Sequence, residues 1–113
     1  LAVRPAALYL SRREGEALAG RPFGDTRSAA AALLALGAAE AIVTDGAAPA
    51  TAADRTGATT LAPPRVAPSS GTGGGDVLVA AHLAARAEGL CPEAALAAAL
   101  AAAARHVSRA GAA

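Results

Sequence analysis

The hydrophobic and polar positions along the chain alternate between short apolar runs and stretches with helical spacing. Residues 6–10 form an apolar run bounded by Pro5, which predicts a short buried strand. Ser11 then opens a helix over 12–19, with Glu14 completing a capping box and Gly20 ending it. Asp25 caps a second helix over 26–36, where Ala29, Leu33 and Leu36 recur at helical spacing and Gly37 stops the pattern. Ala41 to Thr44 read as a strand containing the β-branched Ile42 and Val43, and Asp45-Gly46 as a turn. Residues 50–53 and 59–62 read as strands of a hairpin about a turn containing Gly57. Pro63, Pro64 and Pro68 keep the next stretch extended. A glycine run leads into a helix over 77–87 ended by Gly89. Pro92 sits in the first turn of a last helix running to about Val107, with Leu96, Leu100 and Val107 on one stripe. Strands interleaved with helices predict an α/β fold.

Composition narrows this picture. The chain has 113 residues, enough for one small core. Hydrophobic residues make up 54%, largely alanine, and aromatics only 2%, so helices must pack closely through small side chains. The net charge is +1, and all ten basic residues are arginines spread without a run or aromatic interleaving, which argues against a nucleic-acid partner. Cys91 is the only cysteine, which excludes an internal disulfide and a cysteine zinc cluster and makes a reducing cytoplasm the default location. The longest apolar stretch, 94–104, is too short and alanine-rich to span a membrane. The absence of methionine, even at position 1, suggests a fragment of a longer chain.

The candidate chemistry lies in Gly71-Thr72-Gly73-Gly74-Gly75-Asp76. Residues without Cβ let successive backbone N–H groups turn toward one point, and a helix N-terminus adds partial positive charge there. Such an anion hole suits a transferring phosphoryl group. An aspartate at its edge can accept the proton of an attacking hydroxyl. The plainer reading makes the run a flexible turn and Asp76 an N-cap. A Walker A loop is excluded because the chain has no lysine, and a dinucleotide fingerprint because Asp76 falls where glycine is required.

The glycine loop and its surroundings resemble the ribokinase/PfkB kinases, whose signature is close to Asp-Thr-Thr-Gly-Ala-Gly-Asp at a helix start. The matching stretch is Ser70 to Asp76, followed by Val77-Leu78-Val79-Ala80-Ala81. A family Asn-x-x-Glu motif reads here Ser11-Arg12-Arg13-Glu14, and a Thr-x-Gly motif reads Thr44-Asp45-Gly46. The alanine-rich tail and Val107-Ser108-Arg109-Ala110-Gly111 resemble the family's last helix and its Val-Thr-Arg-x-Gly ending. The order of these four stretches matches the family's. The resemblance implies a ribokinase-like fold, with residues 1–113 the C-terminal portion of a three-layer α/β/α kinase domain. It implies ATP and Mg²⁺ as cofactors, with Asp76 the catalytic base. The amides of Gly73, Gly74 and Gly75 would form the anion hole, and Glu14 would hold magnesium through water. Thr44, Gly46, Thr72 and Leu100 would line the nucleotide. The acceptor would be a hydroxyl of a small sugar or nucleoside. Ala104-Arg105-His106-Val107 resembles the pseudouridine-kinase-like members.

The departures from the family pattern bear on these expectations. Ser11 replaces the asparagine, Pro49 stands where a second glycine is expected, and Leu100 stands where many members have asparagine near the adenine. Ser70 replaces the aspartate that often supports a monovalent-cation site, so the resemblance leaves potassium dependence open. Two alternatives stay open: a non-catalytic nucleotide-binding fragment or decayed kinase, and a pyridoxal-type vitamin kinase reached by aligning Gly71-Thr72-Gly73 with a gap. The resemblance leaves room for a homodimer of the full-length protein. His82 reads as a packing or surface histidine. Arg12 and Arg13 read as a solvated helix face or as phosphate contacts, and Glu16 as an aid to Glu14 or as exposed.

Overall fold

The computed structural model describes residues 7–64 and 74–112. Two compact units divide the chain between Ala62 and Pro63.

The first unit holds β1 (Leu8–Ser11), α1 (Arg12–Ala19), α2 (Thr26–Ala35), β2 (Glu40–Asp45), β3 (Ala48–Asp54) and β4 (Gly57–Leu61). The strands form one sheet in the order β1-β2-β3-β4. β1 and β2 are parallel, joined by the helical connection that parallel pairing requires. β2, β3 and β4 follow as an antiparallel meander.

Local chemistry sets the helix ends. Ser11 accepts from the Glu14 backbone at 3.1 Å while a Glu14 carboxylate oxygen accepts from the Ser11 backbone at 2.8 Å, the predicted capping box. Gly20 closes α1 in the left-handed region at φ 74°, where a side chain would strain the backbone, and its N–H reaches Glu16 O. Asp25 accepts from Ser28 N at 2.8 Å at the start of α2, and these bonds to Ser28 hold its carboxyl below the ordinary 3.8.

The core of this unit joins Ala29, Ala30 and Leu33 of α2 to Ala41 and Val43 of β2, Ala53 of β3 and Phe23 of the α1–α2 connection. Ile42, pointing to the other face by the period of two, is also fully buried. The hairpin turn differs from the sequence expectation. Gly57 starts β4, and the turn is Arg55-Thr56, held by Asp54 Oδ1, which accepts from Thr56 N, Thr56 Oγ1 and Gly57 N. β2 and β3 also run longer than the apolar runs alone predict.

The second unit holds α3 (Gly74–Ala87) and α4 (Pro92–Ala112), which pack on each other. α3 begins three residues before the predicted Val77, and α4 extends five beyond Val107. α3 buries Leu78, His82 and Ala85, a stripe at helical spacing, and α4 buries Ala95, Leu96, Ala99 and Leu100. The Val107 side chain, predicted for the same stripe, lies outside the described residues.

Candidate functional site

The parallel register brings two of the predicted motifs together. Ser11, which opens Ser-x-x-Glu, is the Cα partner of Thr44, which opens Thr-x-Gly. Both stand at the C-terminal ends of parallel strands, the edge at which open α/β sheets bind ligands. Glu14 follows in the exposed first turn of α1. Gly46 sits in the β2–β3 turn at φ 58°, a left-handed conformation that favours glycine.

The side chains between these positions were misread in the sequence. Arg12 is only partly solvated, and its guanidinium is engaged within the chain. Its Nε donates to Asp45 Oδ2 at 2.9 Å, and its NH1 donates to Glu16 Oε2 at 2.6 Å and to the Phe23 carbonyl at 3.2 Å. The bond to Asp45, with the charges of Asp45 and Glu16, raises the guanidinium further above its ordinary range. Glu16 Oε2 also accepts from Phe23 N at 2.9 Å, so Glu16 ties down the α1–α2 connection rather than standing exposed. Arg12 and Glu16 stand four apart on α1, a legible pair. Asp45, thirty-three positions from Arg12, gave only a turn signal.

A second cluster escaped the sequence entirely. Thr26 Oγ1 donates to the Pro49 carbonyl at 2.9 Å and lies 2.8 Å from Thr51 Oγ1, which lies 2.9 Å from Thr60 Oγ1. A hydroxyl has one proton, and a carbonyl only accepts. The Thr26 proton therefore goes to Pro49, the Thr51 proton to Thr26, and the Thr60 proton to Thr51. This directed chain fastens the start of α2 to both strands of the hairpin. Pro49 lies where the β2–β3 register shifts, a position in a sheet that tolerates proline. An open cleft of about 420 Å³ lies beside the Asp45–Pro49 turn, with Asp25, Arg27, Asp45 and Thr60 in its lining.

In the second unit, Gly74 and Gly75 occupy the first two positions of α3 and Asp76 the third. Asp76 is thus inside the first turn and not the N-cap that the plainer reading made it. First-turn amides, here those of Gly74, Gly75 and Asp76, have no intrahelical acceptor, and a helix N-terminus of this kind suits an anion. A Cβ built on Gly75 meets no heavy atom within 4 Å, so packing does not require glycine there. The Asp76 side chain is exposed. Ser70, Thr72 and Gly73 lie outside the described residues. Leu100 is buried, a core position that offers a nucleotide base no hydrogen bond.

Among the described residues no group of three or more His, Cys, Asp or Glu side chains is placed to hold a metal. Magnesium carried on donor phosphates needs only one or two carboxylates, and the exposed Glu14 fits that more modest demand. Among the described residues no helix is long and apolar enough to cross a membrane.

The comparisons agree on one family. The profile described as pfkB family carbohydrate kinase matches residues 3–113. The solved ribokinase of Thermotoga maritima is 30% identical, aligned over 92% of this chain and 36% of its own, with a TM-score of 0.80. A putative ribokinase II from E. coli is 30% identical over 94% of this chain and 33% of its own, with a TM-score of 0.76. Phosphofructokinase-2 from Escherichia coli, solved with fructose-6-phosphate, is 25% identical over 94% of this chain and 36% of its own, with a TM-score of 0.81. Comparison with curated proteins gave no match. The chain spans about a third of the length of the solved structures it matches, so the mixed sheet and four helices are a partial ribokinase-like α/β fold. Because the family profile covers nearly all of its sequence, the chain belongs to the pfkB family of carbohydrate kinases.

Proposed function

We propose that residues 1–113 are the C-terminal portion of a kinase domain that transfers the γ-phosphate of ATP to a hydroxyl of a small sugar or nucleoside. The observation that carries this reading is the register of Ser11 with Thr44, which sets two motifs of the family side by side at one strand edge. Asp76 in the first turn of α3 adds a carboxylate beside amides that have no intrahelical acceptor.

In this mechanism the Asp76 carboxylate accepts the proton of the acceptor hydroxyl as its oxygen attacks the γ-phosphorus and the bond from phosphorus to the bridging oxygen breaks, releasing ADP. The amides of Gly74 and Gly75, with Gly73 ahead of them, donate to the oxygens of the transferring group and stabilise its charge. Thr44 and Gly46 contact the donor phosphates, with Thr72 as a further nucleotide contact. Glu14 would hold magnesium through water. ATP supplies the phosphoryl group, and magnesium neutralises part of its charge. The site lies in a protein of the cytoplasm.

The test is phosphoryl transfer from ATP by the complete protein to a panel of sugars, nucleosides and pyridoxal, alongside Asp76→Asn. The expected result is transfer to one acceptor class, with kcat lowered by about 10²-fold or more in Asp76→Asn and ATP binding retained. ATP binding without transfer to any acceptor would instead support a non-catalytic nucleotide-binding module.

A further inference from the structure

The Thr-x-Gly turn is held only in part by its strand ladder: Thr44 pairs with Ser11 of β1, but the β2–β3 pairing is irregular beside it. β2 and β3 pair from Glu40 to Val43, the register then shifts, and pairing resumes only between Asp45 and Ala48. A shift of this kind locally disrupts the ladder and re-aims the chain. Gly46, left-handed, carries the reversal. A side chain adds a further tie beside this irregularity. Asp45, the middle residue of the motif, receives Arg12 Nε at 2.9 Å.

Arg12 is in turn the residue after Ser11 in the Ser-x-x-Glu motif, one turn of helix from Glu16 and two residues from Glu14. Its guanidinium spans three separate segments: α1 through Glu16, the α1–α2 connection through the Phe23 carbonyl, and the β2–β3 turn through Asp45. Glu16 closes the arrangement by accepting from Phe23 N. A planar fork with several fixed donors serves such divergent acceptors, whereas an ammonium is a single point of charge. Arg12 is about one-third exposed, so it holds geometry rather than supplying much stability.

We propose that Arg12 is a positioning residue, whose guanidinium fixes the Thr44–Gly46 turn against the helix that carries Glu14. Its kinetic consequence rests on the reading of Thr44, Gly46 and Glu14 as the donor side of the site. With the turn held, donor phosphates meet groups already in place. Without it, part of the donor's binding energy goes into ordering the turn.

The test uses the complete protein and four variants: Arg12→Ala, Arg12→Lys, Asp45→Asn and the double variant Arg12→Ala/Asp45→Asn. Two readouts are taken, amide hydrogen exchange across 40–50 and the separate KM values for ATP and acceptor. Arg12→Ala is expected to speed exchange at 44–48 and to raise the ATP KM by about five- to tenfold, with the acceptor KM within about twofold. Arg12→Lys recovers part of both effects, because it keeps the charge and loses the fork. The double variant is no worse than the worse single one, because both act on the same contact. Unchanged exchange at 44–48 in Arg12→Ala overturns the proposal. So does an equal rise in both KM values with faster exchange throughout the chain, which marks a general loss of stability. If the parent protein transfers phosphate to no acceptor, the proposed function falls, and the exchange measurement alone decides whether Arg12 positions the turn.

Discussion

The directed hydroxyl chain from Thr60 to Pro49 makes a quantitative prediction for Thr51→Val. Thr51 is fully buried, and valine replaces its hydroxyl with a methyl group of similar size. The substitution removes the bonds to Thr26 and Thr60. It leaves a lone pair of the buried Thr26 hydroxyl without its incoming donor, while the Thr26 proton keeps its place on the Pro49 carbonyl. Thr60 is exposed, so its freed proton passes to water at little cost. One buried and one part-buried hydrogen bond contribute about 2 kcal/mol together. The added methyl group returns about 0.5–0.8 kcal/mol. The net loss is therefore about 1–2 kcal/mol. Thr60→Val, at the wet end of the chain, is expected to cost under about 1 kcal/mol. Equilibrium urea unfolding, followed by far-UV circular dichroism and by the fluorescence of Tyr9 in β1, measures both, with an unchanged m-value showing that the same transition is compared. In a double-mutant cycle, Thr26→Val and Thr51→Val should couple by about 1 kcal/mol. A neutral or stabilising Thr51→Val, or a Thr60→Val costlier than Thr51→Val, would refute the proton order derived from Pro49.

Two further outcomes follow from residues of the second unit. Gly75→Ala should leave stability unchanged or raise it by up to about 1 kcal/mol, since its methyl group meets nothing and alanine favours helix. If the Gly75 amide approaches a phosphoryl group, the same variant should lose transfer activity, and thermal melts with kinetics on one preparation separate the two. His82 is held below its ordinary 6.5 by burial, with the nearby charge of Arg86 adding to the shift. As pH falls below 6.5 the unfolded chain takes up a proton that the folded chain resists, so stability falls until the pH passes the lowered folded value. Urea midpoints measured from about pH 7.5 down to 5 should show this slope in the parent and lose most of it in His82→Gln.

What the sequence revealed was what acts over a few residues. The Ser11–Glu14 box, the Asp25 cap and the Gly20 stop depend on neighbours within four positions, and each stands where the pattern predicts it. The β1–β2 pairing needed only two apolar runs and a helical connection. The start of α3 was set too late because glycine has the lowest helix propensity after proline. First-turn residues, whose N–H groups need no intrahelical acceptor, nonetheless accommodate it. The contacts across long separations were illegible. Arg12 with Asp45, and Thr26 with Thr51, are 33 and 25 residues apart. Nothing in the composition of either segment announces its partner. The strand edge as a site was legible only through the order of motifs. The role of Arg12 became visible only once the register placed Ser11 beside Thr44.

The buried methyl groups carry a thermal consequence. Ala29, Ala30, Ala41, Ala50, Ala52, Ala53, Ala95 and Ala99 make up much of the buried interior among the described residues. Each conceals little apolar surface and gives up no rotamer freedom on folding. Unfolding therefore exposes less hydrocarbon to water per residue, and the accompanying rise in heat capacity is small. A small heat-capacity change flattens the dependence of stability on temperature. A core of this kind holds a modest free energy that varies slowly across a wide thermal range, where a leucine-rich core of equal length would trace a sharper dome.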